Sequence, residues 1–377
     1  MHISNYKFII LGSYTGNTLG QVRSLGEKGI KPIAVLVNKN TFRIDKSKYI
    51  GELYNVKSID EGLNLIIKRF GNEPNKPFLF TDRDDVMGLI DSRYNELIEK
   101  FYIWNAGGQG QLNKYLNKSE QIKLAEECGF NVPKTEMIKI EELHHSLQYP
   151  IFTKATDSLN EWWKGCASKC NNDEELKAFC KKLEVNNLVL QEYIDKEDET
   201  PIEGISINGG AKIVLFGLTK NYRMTADSFG TFRHLETFDD KQTETCIQKF
   251  IQRVNYTGAF EVELIIDKQG KAYFLEVNFR IAQQNYGYTV FGANIPYIYA
   301  LSVLKGDIAK EEICYTNKRP FRMMYEFEDL KLSVLSKKIS LWQWIKDVKI
   351  TDVFLFYNKK DKAPFYHTIW EKIKKFI

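Results

Sequence analysis

Two segments near residue 270 carry acidic side chains at a spacing that could form a catalytic or metal-binding site. Glu263 lies in GAFEVELIID, and Glu276 and Asn278 lie in KAYFLEVNFR, with the turn sequence DKQGK between them. Both segments predict β-strands, and the turn predicts that they pair as a hairpin, with Gly270 available for a positive φ. A four-residue connection then places Glu263 directly opposite Glu276.

Alternation along these strands predicts which side chains share a face. Glu261 and Glu263 share one face of the first strand. On the second strand, Phe274 is predicted to lie on the same face as Glu276 and Asn278. Carboxylates that face each other repel, and a hard cation between them would remove that cost. The oxygen ligands of Glu263, Glu276 and Asn278 suit Mg²⁺, which also takes oxygens from phosphates and water. The alternative is a hairpin with a solvated acidic face.

Composition excludes several classes of protein. The chain has 377 residues, 43% of them hydrophobic and 27% charged, as in a globular protein of two or three domains. Its formal charge is only +4, and lysines alternate with acids except at the basic stretch 372–375. We therefore expect no nucleic-acid partner. The terminal WEKIKKF is more typical of an amphipathic end helix than of a membrane anchor.

Cysteines and apolar runs indicate a reduced, intracellular protein. The six cysteines form no CxxC pair, and Cys166 and Cys170 have no second ligand pair, so structural thiols are expected. The apolar run at residues 8–11 is too short for a signal peptide, and no window predicts a membrane span. We expect a cytoplasmic protein.

The first part of the chain predicts a parallel sheet. An apolar run at 8–11 is followed by Gly12, Gly16 and Gly20, a helical segment, and a second apolar run at 33–37. This order predicts the βαβ unit of a Rossmann-like domain. The glycine spacing departs from GxGxxG, which favours a plain tight turn over a dinucleotide site of a dehydrogenase. PFLFTD predicts another strand, followed by a helix.

The pattern changes to α+β beyond residue 116. KSEQIKLAEECGF predicts a helix with Ser119 as its N-cap and Gly129 at its end. Strands are predicted at 151–154, 188–193, 202–207, 213–218, 259–266 and 272–277. We expect three parts: a Rossmann-like domain at 1–115, a domain at 116–310 with a lid lobe at about 130–195, and a C-terminal subdomain at 311–377.

Five segments of the second domain resemble motifs of the ATP-grasp superfamily. LEVNFR is similar to the metal-binding E-x-N-P-R motif, and Glu263 falls at the earlier metal-bridging glutamate. NKSEQIKLAEECGFNVPKT resembles the opening lysine-to-proline segment, YPIFTKA the lysine-bearing strand, and LVLQEYI the hinge between lobes. The match is collinear over about 117–306. The resemblance implies a two-lobed ATP-grasp fold behind a Rossmann-like domain, with a small C-terminal segment.

The resemblance also implies residue roles for binding ATP. Lys118 and Lys154 would contact the phosphates, as compact ammonium groups can. Glu192, Tyr193 and Ile194 would lie at the adenine. Each lysine alone would be read as a surface residue, and the three hinge residues as the end of a strand.

Further roles concern the reacting groups. Arg280 would face the transferring phosphate and the substrate carboxylate, and Lys220 and Arg223 would lie near the γ-phosphate or the acceptor. A solvated strand end is the alternative for these last two residues. Asp198 or Glu203 would hold the ribose.

Two departures from the family pattern stand out. Phe279 replaces the usual proline of the metal motif. The loop after Lys154 has one glycine where relatives carry several, although glycines let backbone amides close on phosphates. Trp162 and Trp163 could instead make this loop a lid with its own substrate contacts.

The implied function is an ATP-dependent, ADP-forming carboxylate–amine ligase. Mg²⁺, or Mn²⁺ in its place, would be the metal, and the partners would be a small carboxylate and an amine, with a homodimer as the expected assembly. The alternatives are a ligase with another acceptor, through thiol or carboxyphosphate chemistry, and a non-catalytic ATP-binding protein.

Overall fold

A parallel sheet of four strands forms the N-terminal part. The computed structural model describes residues 3–154, 167–224 and 230–374. The strands lie in the order β3-β2-β1-β4. The elements of this part are β1 Phe8–Ser13, α1 Gly16–Glu27, β2 Ile33–Val37, β3 Glu52–Asn55, α2 Ile59–Phe70, β4 Phe78–Phe80, α3 Asp84–Ser92, α4 Tyr94–Leu97 and α5 Gln111–Tyr115.

A small antiparallel sheet follows, in the order β5-β8-β6-β7. It has its own apolar cluster, which includes Ile138, Ile151, Leu176 and Leu190. Its strands and the neighbouring helices are α6 Lys118–Glu127, β5 Thr135–Lys139, β6 Ile151–Lys154, β7 Ser168–Cys170, α7 Asp173–Cys180 and β8 Asn187–Glu192.

A sheet of seven strands, in the order β13-β12-β9-β10-β11-β14-β15, is the largest element. The last two strands come from the C-terminal segment, so that segment extends the same sheet. The elements are β9 Lys196–Ile207, β10 Lys212–Met224, β11 Gly230–Glu236, α8 Lys241–Val254, β12 Gly258–Asp267, β13 Ala272–Asn278, α9 Asn285–Phe291, α10 Ile295–Lys305, β14 Phe321–Met324, α11 Glu326–Asp329, α12 Leu341–Ile350, β15 Val353–Phe354 and α13 Ala363–Lys374.

One apolar core joins the N-terminal sheet to the large sheet. Phe80 of β4 stacks on Trp104 at 5.3 Å between ring centroids, and both rings meet Tyr299 of α10 edge-on. The glycines of α1 make a close approach possible. A Cβ at Gly16 would lie 2.5 Å from the side chain of Leu355, so this glycine lets the C-terminal segment pack closely against α1.

Two local expectations are corrected. Asn117, not Ser119, caps α6, because the side-chain oxygen of Asn117 accepts from the backbone N–H groups of Ser119 and Glu120. Phe274 lies in the core with Phe130 and Phe250, on the side opposite to Glu276. A β-bulge between Glu263 and Leu264 shifts the alternation there.

Two further observations concern the described residues. None of their helices is long and apolar enough to cross a lipid bilayer. The cysteines among them, Cys128, Cys170, Cys180, Cys246 and Cys314, are free thiols. Cys166, Trp162 and Trp163 lie outside the described residues, as does most of the loop after Lys154.

Candidate active site

The hairpin of β12 and β13 places two carboxylates opposite each other. Glu263 pairs with Glu276 in the register, as the sequence predicts, and Gly270 in the turn has a φ of +81°. Burial and the charges of Glu261 and Glu276 raise the pKa of Glu263 well above its ordinary value. The carboxylates of Glu263 and Glu276 repel each other, which destabilises the hairpin. A cation between the strands would remove this repulsion.

Asn278 connects these acids through its side-chain amide. Its Nδ2 donates to Glu263 Oε1 at 2.9 Å and to Glu261 Oε1 at 3.1 Å. Its Oδ1 accepts from Arg280 Nη2 at 3.2 Å. Gln284 also donates to Glu261. The amide group thus lies between the carboxylates and the guanidinium, and its oxygen, the atom that could bind a metal, is held by Arg280.

A further buried acid lies behind this group. Glu203 pairs with Glu261 across β9 and β12, and neither oxygen of its carboxylate has a hydrogen-bond partner within the described chain. Burial and the nearby charge of Glu261 raise the pKa of Glu203 well above its usual value. Its position inside the sheet does not suit the ribose contact that the resemblance implied.

The two lysines from the sequence motifs converge on Glu276. Lys118, the first residue of α6, holds Glu276 with its Nζ 2.8 Å from the carboxylate. Lys154 ends β6 of the small sheet, and its charge interacts with both Glu276 and Lys118. Burial would raise the pKa of Glu276, but Lys118, Lys154 and Arg280 hold it below its usual value.

The two lysines differ in their own acidity. Burial lowers the pKa of Lys154 to about 8, and the charge of Lys118 acts in the same direction. Burial also disfavours the charged form of Lys118, but Glu276 more than offsets this and raises its pKa. Lys118 therefore already has a carboxylate partner, whereas Lys154 is suited to an incoming anion.

Arg280 connects the acids to the N-terminal part. Its Nε lies 3.0 Å from the carboxylate of Asp84, the first residue of α3. Burial opposes the charge of Arg280, but Asp84, Glu261 and Glu263 raise its pKa. The guanidinium is thus permanently charged and fixed beside the acids, where it can face a phosphate.

A cavity of about 500 Å³ brings Glu263, Glu276 and Arg280 together with residues from the N-terminal part, whereas Lys118 and Lys154 are not among its lining residues. Polar and charged side chains dominate its wall, as expected for a charged ligand. The lining residues are Thr15, Asn17, Asp82, Glu199, Pro201, Asn221, Arg233, Glu261, Glu263, Glu276, Arg280, Gln283 and Gln284. A larger cavity of about 730 Å³ lies between α6 and the small sheet. Its wall includes Glu192 but none of the acids of the hairpin.

The hinge residues lie where the small sheet passes into the large one. Glu192 ends β8, and its backbone N–H donates to the carbonyl of Lys134 at 2.8 Å. The ring of Tyr193 lies 4.0 Å from Lys169 Nζ. Tyr193 and Ile194 are half-buried and connect β8 to β9. This is the connection that the hinge motif predicted.

The structure does not bring Lys220 or Arg223 to the cavity. Lys220 is exposed and pairs with Glu236 at 2.9 Å. It neighbours Asn221, whose side chain lines the cavity, so alternation directs Lys220 to the other face. Arg223 follows a β-bulge and is held by two buried carboxylates, those of Asp329 and Asp347.

Other cavity residues were not predicted as site residues. Arg233 on β11 faces the cavity, with Nη1 3.1 Å from the side-chain oxygen of Gln284. Asp82 follows β4 and accepts hydrogen bonds from Thr15 and Thr18. Burial raises the pKa of Asp82. Its position after a parallel strand is the signal that could have identified it, because ligands bind at the carboxyl ends of such strands.

The groups present fit a magnesium ion bound against phosphates. In the described part of the chain, no three His, Cys, Asp or Glu side chains are grouped to hold a metal by themselves. Glu263 and Glu276 would supply part of an oxygen shell, and the amide oxygen of Asn278 would join it on release from Arg280. Mg²⁺ characteristically takes few protein ligands and completes its coordination with phosphate and water.

Three solved structures with similar folds place these observations in context. An L-amino acid ligase from Bacillus licheniformis matches with a TM-score of 0.61 and 15% identity, over 79% of this chain and 74% of that one. N5-carboxyaminoimidazole synthetase from Staphylococcus aureus matches with a TM-score of 0.64 and 18% identity, over 88% and 87%. Biotin carboxylase from Campylobacter jejuni matches with a TM-score of 0.62 and 18% identity, over 82% and 73%.

These similarities identify the fold. The chain has the mixed α/β fold of the ATP-grasp enzymes, and the expected resemblance is confirmed at the level of fold. No family model matches the sequence, and the comparison with curated proteins returns no match.

Proposed function

We propose that the protein is an ATP- and Mg²⁺-dependent ligase that joins a carboxylate to an amine and releases ADP and phosphate. One observation carries this proposal: Lys118 contacts Glu276 where it faces Glu263, and the charge of Lys154, from a different element, acts on the same carboxylate. Cations and a metal-binding acid pair at one point are what phosphoryl transfer requires. The fold shared with an L-amino acid ligase supports the same reaction class.

Some of these residues would bind ATP, and others would stabilise the transferring phosphate. Lys154 and Lys118 bind the phosphates, and Glu192, Tyr193 and Ile194 bind the adenine. Glu263, Glu276 and Asn278 would hold Mg²⁺, which neutralises charge on the phosphate oxygens. Arg280 then stabilises the charge that develops as the γ-phosphoryl group moves.

The chemistry has two steps. An oxygen of the substrate carboxylate attacks the γ-phosphorus, the bond to the β-phosphate oxygen breaks, and ADP leaves. The amine nitrogen then attacks the acyl carbon, loses a proton and displaces phosphate, so that an amide remains. Because the acyl phosphate hydrolyses in water, Arg233, Gln284 and the N-terminal residues Thr15 and Asp82 would enclose the acceptor.

The domain arrangement belongs to the same proposal. Residues 1–115 form a Rossmann-like domain, 116–310 the two-lobed ATP-grasp domain with its lid at about 130–195, and 311–377 a C-terminal subdomain that completes the large sheet. The four-stranded parallel sheet supports the first assignment. A cytoplasmic location suits an ATP-dependent reaction, and a homodimer remains an expectation.

ADP release in a panel of carboxylates and amines tests the proposal. The wild-type protein should release ADP only with both substrates and Mg²⁺. Glu263→Gln and Glu276→Gln should each lower the rate by about a hundredfold or more, because each removes charge that holds the metal. Glu236→Gln is the matched control, since Glu236 pairs with Lys220 outside the cavity.

Each alternative function predicts a different result in this assay. Stimulation of ADP release by a thiol or by bicarbonate, rather than by an amine, would indicate a ligase with another acceptor. Tight ATP binding with no ADP release from any pair would indicate a non-catalytic ATP-binding protein. Equal rates for Glu276→Gln and Glu236→Gln would contradict the proposed metal site.

A further inference from the structure

Exposed large apolar side chains are concentrated in the C-terminal segment. Of the eleven found in the described chain, seven lie between residues 335 and 373. Trp342 is 71% exposed and Trp370 is 56% exposed. The other five are Leu335, Leu341, Ile350, Tyr366 and Ile373. Such a concentration is unusual for a free surface and indicates an interaction site.

The spacing of these residues gives the last helix, α13, an apolar side toward solvent. On α13, Tyr366, Trp370 and Ile373 follow the i, i+4, i+7 pattern of one helix face. On α12, Leu341 and Trp342 are exposed at the start of the helix, and Leu335 is exposed six residues before Leu341 in the chain. The buried side of α13 is separate, because Thr368 and Pro364 face the protein.

Both helices pack against one short segment, residues 326–335. Phe327 of this segment stacks on Phe365 of α13 with ring centroids 5.4 Å apart. Arg223 forms ion pairs with both Asp329 of the same segment and Asp347 of α12. Both helices thus contact residues 326–335. We call the exposed apolar side chains of residues 335–373, together with the exposed lysines of residues 331–374, the basic aromatic surface.

This region also carries the excess positive charge of the protein. Residues 331–374 contain ten lysines and four acids, a formal charge of +6, whereas the whole chain carries +4. Nine of the ten lysines are exposed. Each of the four acids already has a basic partner outside the segment: Asp347 with Arg223, Asp352 with Lys318, Asp361 with Arg23 and Glu371 with Arg43.

We propose that the basic aromatic surface docks the protein on an anionic lipid surface. Tryptophan and tyrosine side chains insert at the boundary between headgroups and acyl chains, and lysines around them pair with anionic headgroups. The apolar residues and the lysines occur in the same segment of the chain, and the excess of lysines distinguishes it from an uncharged dimer contact. The inference stands independently of the proposed ligase activity.

Flotation of the full-length protein with lipid vesicles tests the proposal. The protein should float with phosphatidylcholine vesicles that contain phosphatidylglycerol, but not with phosphatidylcholine alone. Raising the salt concentration should weaken binding, because salt screens the lysines. Tryptophan emission should shift to shorter wavelength as Trp342 and Trp370 leave water.

Variants separate the two contributions. Trp342→Ser with Trp370→Ser, and Lys337→Gln with Lys338→Gln and Lys349→Gln, should each reduce the bound fraction about tenfold. Met137→Ser is the control, since Met137 is 55% exposed on the small sheet. All these side chains are exposed, so the thermal unfolding midpoint should remain unchanged.

Three outcomes would overturn the proposal. The first is no flotation with the anionic vesicles at low salt. The second is equal flotation of the wild type and of both sets of variants. The third is a wild-type dimer that the double tryptophan variant converts to a monomer without any vesicle binding, which would identify a second copy of the chain as the partner.

Discussion

At the scale of single residues, the charges around Glu276 depend on one another. Lys118 lies 2.8 Å from this carboxylate, and the charge of Lys154 interacts with the charges of both Lys118 and Glu276. An ATP phosphate would place a further negative charge beside Lys154. The affinity for nucleotide should therefore depend on whether Lys154 is protonated.

The pH dependence of nucleotide binding follows from the low pKa of Lys154. Its pKa of about 8 means that the free protein loses the ammonium charge above that pH. Binding then requires proton uptake, so the affinity for a non-hydrolysable ATP analogue should fall as the pH rises through 8. The loss should approach about tenfold per pH unit. Calorimetric titration at several pH values measures it.

Lys154→Arg is the control for this dependence. Arginine stays protonated throughout the range, so its affinity should be nearly constant across the same pH values. A wild-type affinity that is equally constant would show that Lys154 does not bind the phosphates.

The site residues differ in how well the sequence predicts them. The pairing of Glu263 with Glu276 was predictable because the two residues lie on adjacent strands joined by a short turn. Lys220 and Arg223 were predicted as site residues but do not line the cavity, because the directions of their side chains depend on strand alternation and on a β-bulge that no local pattern encodes. Arg233 and Asp82 reach the cavity through pairings that are distant in the sequence.

At the scale of elements, helix α6 positions Lys118 through its N-terminal cap. The side chain of Asn117 accepts from the N–H groups of Ser119 and Glu120. Asn117→Ala should lower the free energy of unfolding by about 1 kcal/mol, because these donors lose their partner. It should also weaken nucleotide binding, since Lys118 begins the same turn. Urea denaturation and calorimetric titration measure the two effects.

Ser119→Ala is the matched control, since the sequence alone favours Ser119 as the cap. Its hydroxyl donates to Asn117 but caps no backbone N–H group in the described structure. We expect a smaller loss than for Asn117→Ala. A larger loss would restore Ser119 as the residue that stabilises this helix end.

The strands show where local patterns predict structure and where they do not. The runs at 33–37 and 151–154 were predicted with correct bounds, because apolar runs bounded by turn residues are a strong signal. β5, β7, β11 and β14 were not predicted. They are short or mixed in polarity, so their partners rather than their own residues determine them.

At the scale of the whole molecule, the C-terminal segment is joined to the N-terminal part by a buried ion pair. Arg23 of α1 contacts Asp361 at 3.0 Å, and both side chains are almost completely buried. Arg23→Met would leave the carboxylate of Asp361 buried without its charge partner. The free energy of unfolding should fall by about 3–5 kcal/mol, as measured by urea denaturation.

Lys28→Met provides the comparison, because Lys28 pairs with Glu312 on the surface at 2.7 Å. This exposed pair should contribute at most about 1 kcal/mol. Equal effects of the two substitutions would show that the Arg23–Asp361 contact does not hold the segments together. This contact, like the addition of β14 and β15 to the large sheet, joins residues far apart in the chain and was not predictable.

The Mg²⁺ dependence of nucleotide binding tests the central claim most directly. The affinity for a non-hydrolysable ATP analogue is measured with Mg²⁺ and with a chelator, for the wild type and for Glu276→Gln. Mg²⁺ should tighten binding to the wild type, and the substitution should reduce this gain by about tenfold or more, because a metal ligand is lost. The same gain from Mg²⁺ in both proteins would contradict a metal site at Glu263 and Glu276.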